Sequence, residues 1–444
     1  MKQNNKSLTN KNYGSSTHHL LAWVGTCVCL AVLSCIFLKP NAWAAGLWLY
    51  EGSIPDMGMA NAGRAASALD ASTAGGNPAG MTVLDRSQLV TGFLGILPKA
   101  EFDIDHASYG GGGGGDAGYF TPAATLAYVH RINDRLRLGV AVGSYFGLGL
   151  NYGDHWAGRY YIQDGQFLTA GINPSIGYRI TDWLSLGGGV TMEVAKLYNK
   201  VAVNTLVPGR SDGSLEYEET DLGYGYNLGI LVELSEKTRF GLTYRSEVDV
   251  DFKDKPDLDG EGWLLDSILN LRNQSKRTLG IDMTMPQAVM LSAYHQLNDR
   301  FILCANVGWQ DWSEFGLPEI SISGKRTRSF TSDLNYDDTY HVALGGQYRF
   351  APKWLMSAGM AYDTSPIKHA RDRSPVLPLD RQIRYALGLQ YDLNENITLG
   401  CAYEFLDAGK GRVDKAGGPF RGDLKGKYDT NYINLFNMNI VWKF

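Results

Sequence analysis

Cysteine is scarce, 5 in 444 residues, and Cys27, Cys29 and Cys35 all lie near the N-terminus. The remaining pair, Cys304 and Cys401, cannot make a disulfide scaffold. Proline is also sparse, at 15. No Cys-x-x-Cys and no His-Glu-x-x-His occurs, and the eight histidines are scattered, so neither a zinc site nor any other metal site is expected. Excess positive charge is missing too: the formal net charge is −5 and the pI about 5.9, which excludes a nucleic-acid partner. A mean hydropathy of −0.20 excludes a polytopic helical membrane protein, and 44% hydrophobic residues exclude a disordered chain. Glycine, by contrast, is abundant at 53 residues, above the ~7% usual share. None of this excludes a membrane β-barrel, whose strands are apolar only at alternate positions.

One long charge-free run exists, Leu20–Leu38, preceded by Lys2, Lys6 and Lys11 and ended by Lys39-Pro40. Ala42-Trp43-Ala44 supplies the small-x-small pattern of a signal peptidase site, so residues 1–44 read as an export signal cleaved after Ala44. A retained anchor and a lipoprotein modified at Cys35 are the weaker alternatives. The 400 residues that follow hold 37 basic and 46 acidic side chains.

Those residues alternate. At the C-terminus Phe436, Met438, Ile440, Trp442 and Phe444 share one face of a strand, and Asn437, Asn439 and Lys443 the other. Ile383, Tyr385, Leu387, Leu389 and Tyr391 repeat the pattern against Arg384 and Gln390, as do Ile397, Leu399, Cys401, Tyr403 and Phe405 against Thr398 and Glu404. A greasy face backed by a wet one suits a wall between lipid and a polar interior. Cys304 falls on the face of Asn306 and Gln310, opposite to Cys401, so the two should not bridge. Short connections at 132–135, 180–183, 235–238, 298–300, 351–353 and 394–396 carry turn residues, mostly Asn and Asp. Long polar or glycine-rich connections lie between them, at roughly 103–118, 153–165, 204–215, 253–277, 314–333, 365–380 and 408–427. The count predicts an all-β fold: a 14-stranded antiparallel transmembrane β-barrel over 87–444, with short periplasmic turns, long outer loops and a third strand over Leu136–Tyr152. Gly110–Gly115 lacks the Lys-Ser/Thr of a phosphate loop and reads as an outer loop.

A barrel this wide is not closed by its own side chains. Residues 45–86, rich in Ala, Gly and Ser yet carrying Leu47, Trp48, Met57, Met59 and Met81, are placed to fold inward as a plug. Within them stand Ala45-Gly46, Asp70-Ala71-Ser72-Thr73 and Asn77-Pro78-Ala79-Gly80-Met81; further along come Asn173-Pro174-Ser175, Trp309-Gln310-Asp311-Trp312-Ser313 and Pro378-Leu379-Asp380-Arg381. Together these stretches resemble the FadL/OmpP1/TodX family of outer-membrane long-chain fatty acid and hydrocarbon transporters, whose N-terminal hatch carries such an Asn-Pro-Ala signature.

The resemblance implies a Gram-negative outer-membrane location, passive uptake of a hydrophobic small molecule, rearrangement of the hatch, and exit sideways through a kink in the third strand. Phe146, Gly147, Leu148 and Gly149 fall in the equivalent stretch, and glycines within a strand often mark a bend. It also implies a basic residue on the outer half of the fifth strand. Lys196 lies nearest, although it shares parity with apolar Val190, Met192 and Val194 and needs a bulge to turn inward; Arg159 and Arg384 are the other candidate cations for a carboxylate. Independently, Leu264, Leu265, Ile268 and Leu271 stand at helical spacing in an outer loop, either as an apolar docking groove or as a lid helix packed on its neighbours. Outer-membrane lipid, lipopolysaccharide and, during biogenesis, the barrel assembly machinery are the implied partners. No cofactor and no catalytic residue is expected, and a monomer suffices. An open porin or adhesin, and a barrel lipase or protease, are the competing functions.

Overall fold

A computed structural model describes residues 54–444 apart from 145, 206–210, 256, 260–277, 316–317, 324–327 and 332. Its wall has fourteen strands. They are β1 (Gln88–Ala107), β2 (Thr121–Arg131), β3 (Leu136–Gly143, resuming at Gly147–Asn151), β4 (Asp164–Arg179), β5 (Leu184–Val203), β6 (Gly213–Ser235) and β7 (Thr238–Arg245). There follow β8 (Ala288–Gln296), β9 (Phe301–Gln310), β10 (Thr339–Ala351), β11 (Trp354–Asp363), β12 (Gln382–Asp392), β13 (Ile397–Asp407) and β14 (Asp423–Lys443). Each pairs antiparallel with the next, and β14 returns to β1 from Gln88↔Lys443 to Ala107↔Leu424, so the barrel closes on itself.

Alternation decides which way each side chain points. Leu344, Val190, Leu387, Met438 and Tyr224 stand exposed on the outer surface, where lipid replaces water. Aromatic side chains gather beside the short turns: Phe301 stacks on Tyr348 with ring centroids 4.4 Å apart, and Trp354 lies 4.6 Å from Tyr391. The opposite parity is polar and buried, with Ser292, Asn306, Arg384, Glu404 and Asn437 all inside. Cys304 is buried within, Cys401 is exposed outside, and both are free thiols.

All six short turns fall where the sequence placed them. The long connections are more ordered than their composition indicated. Val248–Asp254 pairs with Thr278–Met285, which pairs with Glu319–Ser323, which in turn pairs with Arg328–Thr331, giving a second, four-stranded sheet. The Gly110–Gly115 stretch is likewise tied to the next loop, with Gly112 N donating to His155 O (3.2 Å) and Ala157 N to Gly112 O (2.9 Å). Gly111 has φ +145°, and a Cβ there would lie 2.7 Å from Ala157 N, so both the conformation and the close approach call for glycine. These pairings join distant segments and leave no local periodicity to read.

Candidate functional site

Residues 54–84 form a compact body inside the barrel. It contains α1 (Ile54–Met57), α2 (Thr73–Gly76) and a 3-10 turn, Pro78–Val83. The Asn-Pro-Ala signature has a plain mechanical reading. Asn77 caps the turn, its Oδ1 accepting from Ala79 N (3.1 Å), and Pro78 opens the turn where its missing N–H costs nothing. Asn77 Nδ2 then donates to Ala65 O (2.6 Å) and to the β6 carbonyl of Ile230 (3.0 Å), so one side chain holds the turn, the hatch and the wall together. Met81 is fully buried against β3 and β4. A Cβ on Gly80 would collide with the Thr73 hydroxyl. Ala45 and Gly46 lie outside the described residues.

The wall is shaped to receive this body. Gly139, Gly177, Gly187, Gly229, Gly241 and Gly359 bring bare backbone against hatch atoms, and a Cβ on any of them would clash. Polar residues of inward parity supply the fastening. Asn306 Oδ1 accepts from Gly63 N (2.7 Å) and Ser292 Oγ from Ala65 N (3.0 Å). Arg239 donates to Ser67 O (2.6 Å), Arg137 to Leu84 O (3.0 Å) and Arg245 to Gly75 O (3.3 Å). Sequence reasoning did not single out these fasteners. Their inward parity was the only available signal, and many lumenal polar residues share it.

On the loop side of the barrel lies a buried aromatic cluster. Phe146 packs on Phe167 (centroids 5.4 Å apart), Trp312 (5.8 Å) and Phe315 (5.3 Å), with Phe252 and Tyr217 buried in the same cluster. In its outer part Arg373 is buried and bonded to the carbonyls of Leu379 (2.8 Å), Arg412 (2.9 Å) and Ile367 (3.2 Å). Burial lowers its pKa and neighbouring Asp380 opposes the shift. Nearby, burial raises the Tyr336 phenol.

The third strand is interrupted beside this cluster. Gly143 faces Gly171 of β4, but Gly147 faces Leu168, so three residues of β3 oppose two of β4. Inward parity changes accordingly, from Arg137, Gly139 and Ala141 to Phe146 and Leu150. On the other side, β2 pairs with β3 only up to Leu126↔Val142, although β2 pairs with β1 as far as Thr121. Among the described residues, therefore, Thr121–Thr125 has no β3 partner, and the gap ends above at Ala117, which accepts from Asn151 N (2.9 Å). A cavity opens there, lined by Thr125, Ala127, Ala141 and Gly143 of the wall and by Arg64 and Ser72 of the hatch. Of the predicted opening, Phe146 borders the break, while Gly147, Leu148 and Gly149 lie in the resumed strand opposite Leu168, Phe167 and Gln166.

The three candidate cations are otherwise engaged. β5 runs from Leu184 to Val203 against β6 without a register shift, so no bulge turns Lys196 inward. It stays on the outer surface with Val190 and Met192, its Nζ 2.7 Å from Glu218 Oε1. The ligand role expected of Lys196 is corrected on that ground: unbroken alternation keeps it outside. Lys196→Ala should change neither hydrophobic uptake by more than about twofold nor stability by more than about 1 kcal/mol, the usual ceiling for a surface pair; a large loss of uptake would restore Lys196 to the route. Arg159 ties two outer loops through Asp212 (2.7 Å) and Gly110 O (2.6 Å). Arg384 is buried between Glu404 (3.1 Å) and Asp363 (3.5 Å), and Asp363 also meets His341 Nδ1 (2.8 Å). Leu264, Leu265, Ile268 and Leu271 lie outside the described residues. Among the described residues no group of three His, Cys, Asp or Glu side chains is placed to hold a metal.

A closed antiparallel barrel with an apolar exterior and its own N-terminal segment seated inside defines a plugged outer-membrane channel. The family description "Outer membrane protein transport protein (OMPP1/FadL/TodX)" matches residues 35–444, and the chain belongs to that family. It is 28% identical over 437 residues to the long-chain fatty acid transport protein of Escherichia coli O6:H1, covering 90% of this chain and 96% of that one. It is also 28% identical over 412 residues to outer membrane protein P1 of Haemophilus influenzae, covering 83% and 87%. Among solved structures, a Pseudomonas aeruginosa FadL homologue superposes with a TM-score of 0.79 at 22% identity, covering 90% of this chain and 100% of that one. The P. putida toluene transporter TodX gives 0.65 at 18%, covering 90% and 99%. Outer-membrane location follows from the family and the barrel.

Proposed function

We propose that this protein carries hydrophobic small molecules, long-chain fatty acids or related hydrocarbons, across the outer membrane by diffusion, with sideways release through the wall between β2 and β3. The observation that carries the reading is the gap itself: a break in hydrogen bonding that coincides with a cavity lined by the hatch and by both strands. The relatives named for fatty acid and toluene transport support the substrate class. So does the aromatic cluster, which places apolar side chains beside the break. Sideways release keeps an alkyl chain out of water, where each re-exposed CH₂ costs about 0.8 kcal/mol. Hatch rearrangement fits the backbone: Ala60, Asn61 and Ala68 hold φ of 50°, 66° and 44°, positions non-glycine residues occupy only when their surroundings impose them. No step of this route asks for a reacting group.

A reversible lock tests it. A Cβ on Gly143 would lie 3.9 Å from Thr125 Cγ2 with nothing else close, so cysteines at these two positions face each other across the gap. In a Cys401→Ser background, oxidised Thr125→Cys/Gly143→Cys should lower uptake of a radiolabelled long-chain fatty acid at least about tenfold, the factor that 1.4 kcal/mol of added barrier gives. Reduction should restore it. Full uptake with the disulfide shown to be formed would rule out the sideways route.

A further inference from the structure

The three cations that sequence reasoning offered to a carboxylate are engaged elsewhere, but the cavity at the gap holds another. Among the described residues that line it, Arg64 of the hatch is the only charged one. Leu94, Ala123, Leu126 and Ala141 make the surroundings apolar, and Thr125 and Gly143, which face each other across the gap, belong to the same lining. An apolar slot with a single guanidinium matches an alkyl chain that ends in an anion. A plain hydrocarbon makes no use of the charge.

Arg64 is held in a way that permits exchange. Its Nη1 donates to Asp56 Oδ2 (3.0 Å), and the two side chains are only 12% and 9% exposed. Where water is largely excluded, either charge left alone is costly. A guanidinium stays charged at any ordinary pH, and its planar fork suits one carboxylate as well as another. An entering carboxylate can therefore replace Asp56 at the same fork. An alcohol, an alkane or an aromatic hydrocarbon of equal size brings no replacement anion.

The pair also closes a tightly wound piece of the hatch. Asp56 O accepts from Asn61 N (2.7 Å) and Met59 N (3.3 Å), and Arg64 N donates to Asn61 O (3.2 Å). Between the two charged residues Ala60, Asn61 and Gly63 all hold positive φ, 50°, 66° and 83°. Only their surroundings keep the first two there. A ligand that takes Arg64 removes the side-chain bond that ties the ends of this segment together.

We propose that Arg64 is the carboxylate-binding residue of the gap cavity, and that an entering fatty acid takes it over from Asp56. The inference rests on the transport reading and narrows its substrate class, from hydrophobic molecules in general to chains with an anionic head. Opening of the wound segment lets Asp56 reach water, so neither anion is stranded by the exchange.

The test compares palmitate with hexadecanol, which share a chain length and differ in the head group. Cells carrying the full-length protein take up each radiolabelled compound, and the rates above those of cells lacking it give a palmitate-to-hexadecanol ratio. Arg64→Gln should lower that ratio about tenfold, the scale of a lost charge-assisted hydrogen bond. Asp56→Asn leaves the guanidinium in need of an anion and should raise it about threefold or more. A purely structural ion pair makes the two variants act alike, since each breaks the same bond. Ratios that move together, or do not move, would overturn the assignment. Should Arg64→Gln fail to insert, Asp56→Asn decides alone, and an unchanged or lower ratio overturns it. Photocrosslinking of a palmitate with a diazirine beside its carboxylate gives a second readout: labelling of peptides covering 54–84 should strengthen in Asp56→Asn and weaken in Arg64→Gln. Labelling in that order, with normal uptake through the oxidised cysteine pair, would sink the sideways route and leave Arg64 its ligand. A lock that stops uptake while ratio and labelling ignore both variants would sink the Arg64 assignment alone.

Discussion

Gly241→Val should turn a silent barrel into one that conducts ions across a planar bilayer. Gly241 lies on β7 with inward parity, opposite Ser292 of β8, and the Ala65 carbonyl rests on its bare Cα. A Cβ there meets backbone on the hatch side and hydrogen-bonded ladder on the wall side, so no rotamer change relieves it. Overpacking ordinarily costs about 1–3 kcal/mol. Here it falls on the same few residues whose fastening depends on Ala65 N to Ser292 and Ala65 O to Asn77. The hatch, having few other ways to yield, should unseat and leave water through the middle. Gly188→Val is the control: it lies on the outer face of β5, where a Cβ would make only ordinary contact with Leu228, and the barrel should stay closed. If Gly241→Val remained as silent as the parent, with its hatch still protected from protease, the seat would not be what holds the plug.

Glu404→Ala should be the most destabilising single change in the wall, by about 3–5 kcal/mol, because it strands Arg384 in the interior. Glu404 is fully buried, and Arg384 is 2% exposed with Nη1 3.1 Å from it. Asp363 remains at 3.5 Å but is shared with His341. The double change Arg384→Met/Glu404→Leu removes both charges and should recover most of the loss. Urea unfolding of the three proteins from detergent makes the comparison. A Glu404→Ala barrel as stable as the parent would mean that water already solvates Arg384.

Much of this architecture was legible because a barrel wall obeys one local rule. Alternation gave the lipid face of β12, β13 and β14 residue by residue, set Cys304 apart from Cys401, and already spoke against Lys196 facing inward. Asn and Asp marked the short turns because their side chains cap such turns within three residues, as Asn133 does with Arg135 and Leu136. The Asn77-Pro78 signature was visible as a pattern, but its double hold on Ala65 and Ile230 was not, since β6 is 153 residues away. The break in β3 was sensed through its glycines and placed slightly late, because the register slip belongs to the pairing with β4 and not to β3 alone. The bonds of Thr169 to Phe146 left no mark at all: a threonine of inward parity on β4 looks like any other until its partner strand gains a residue.

The glycine seat also fixes a chronology. Gly63 bonds to Asn306, 243 residues further along the chain, and the other wall contacts of the hatch are spread from β1 to β14. A socket made of so many strands does not exist until the cylinder has closed, and contacts of such long sequence separation form late. The segment that precedes the first strand is therefore expected to settle last. Each molecule should then pass through a hollow stage between closure and docking.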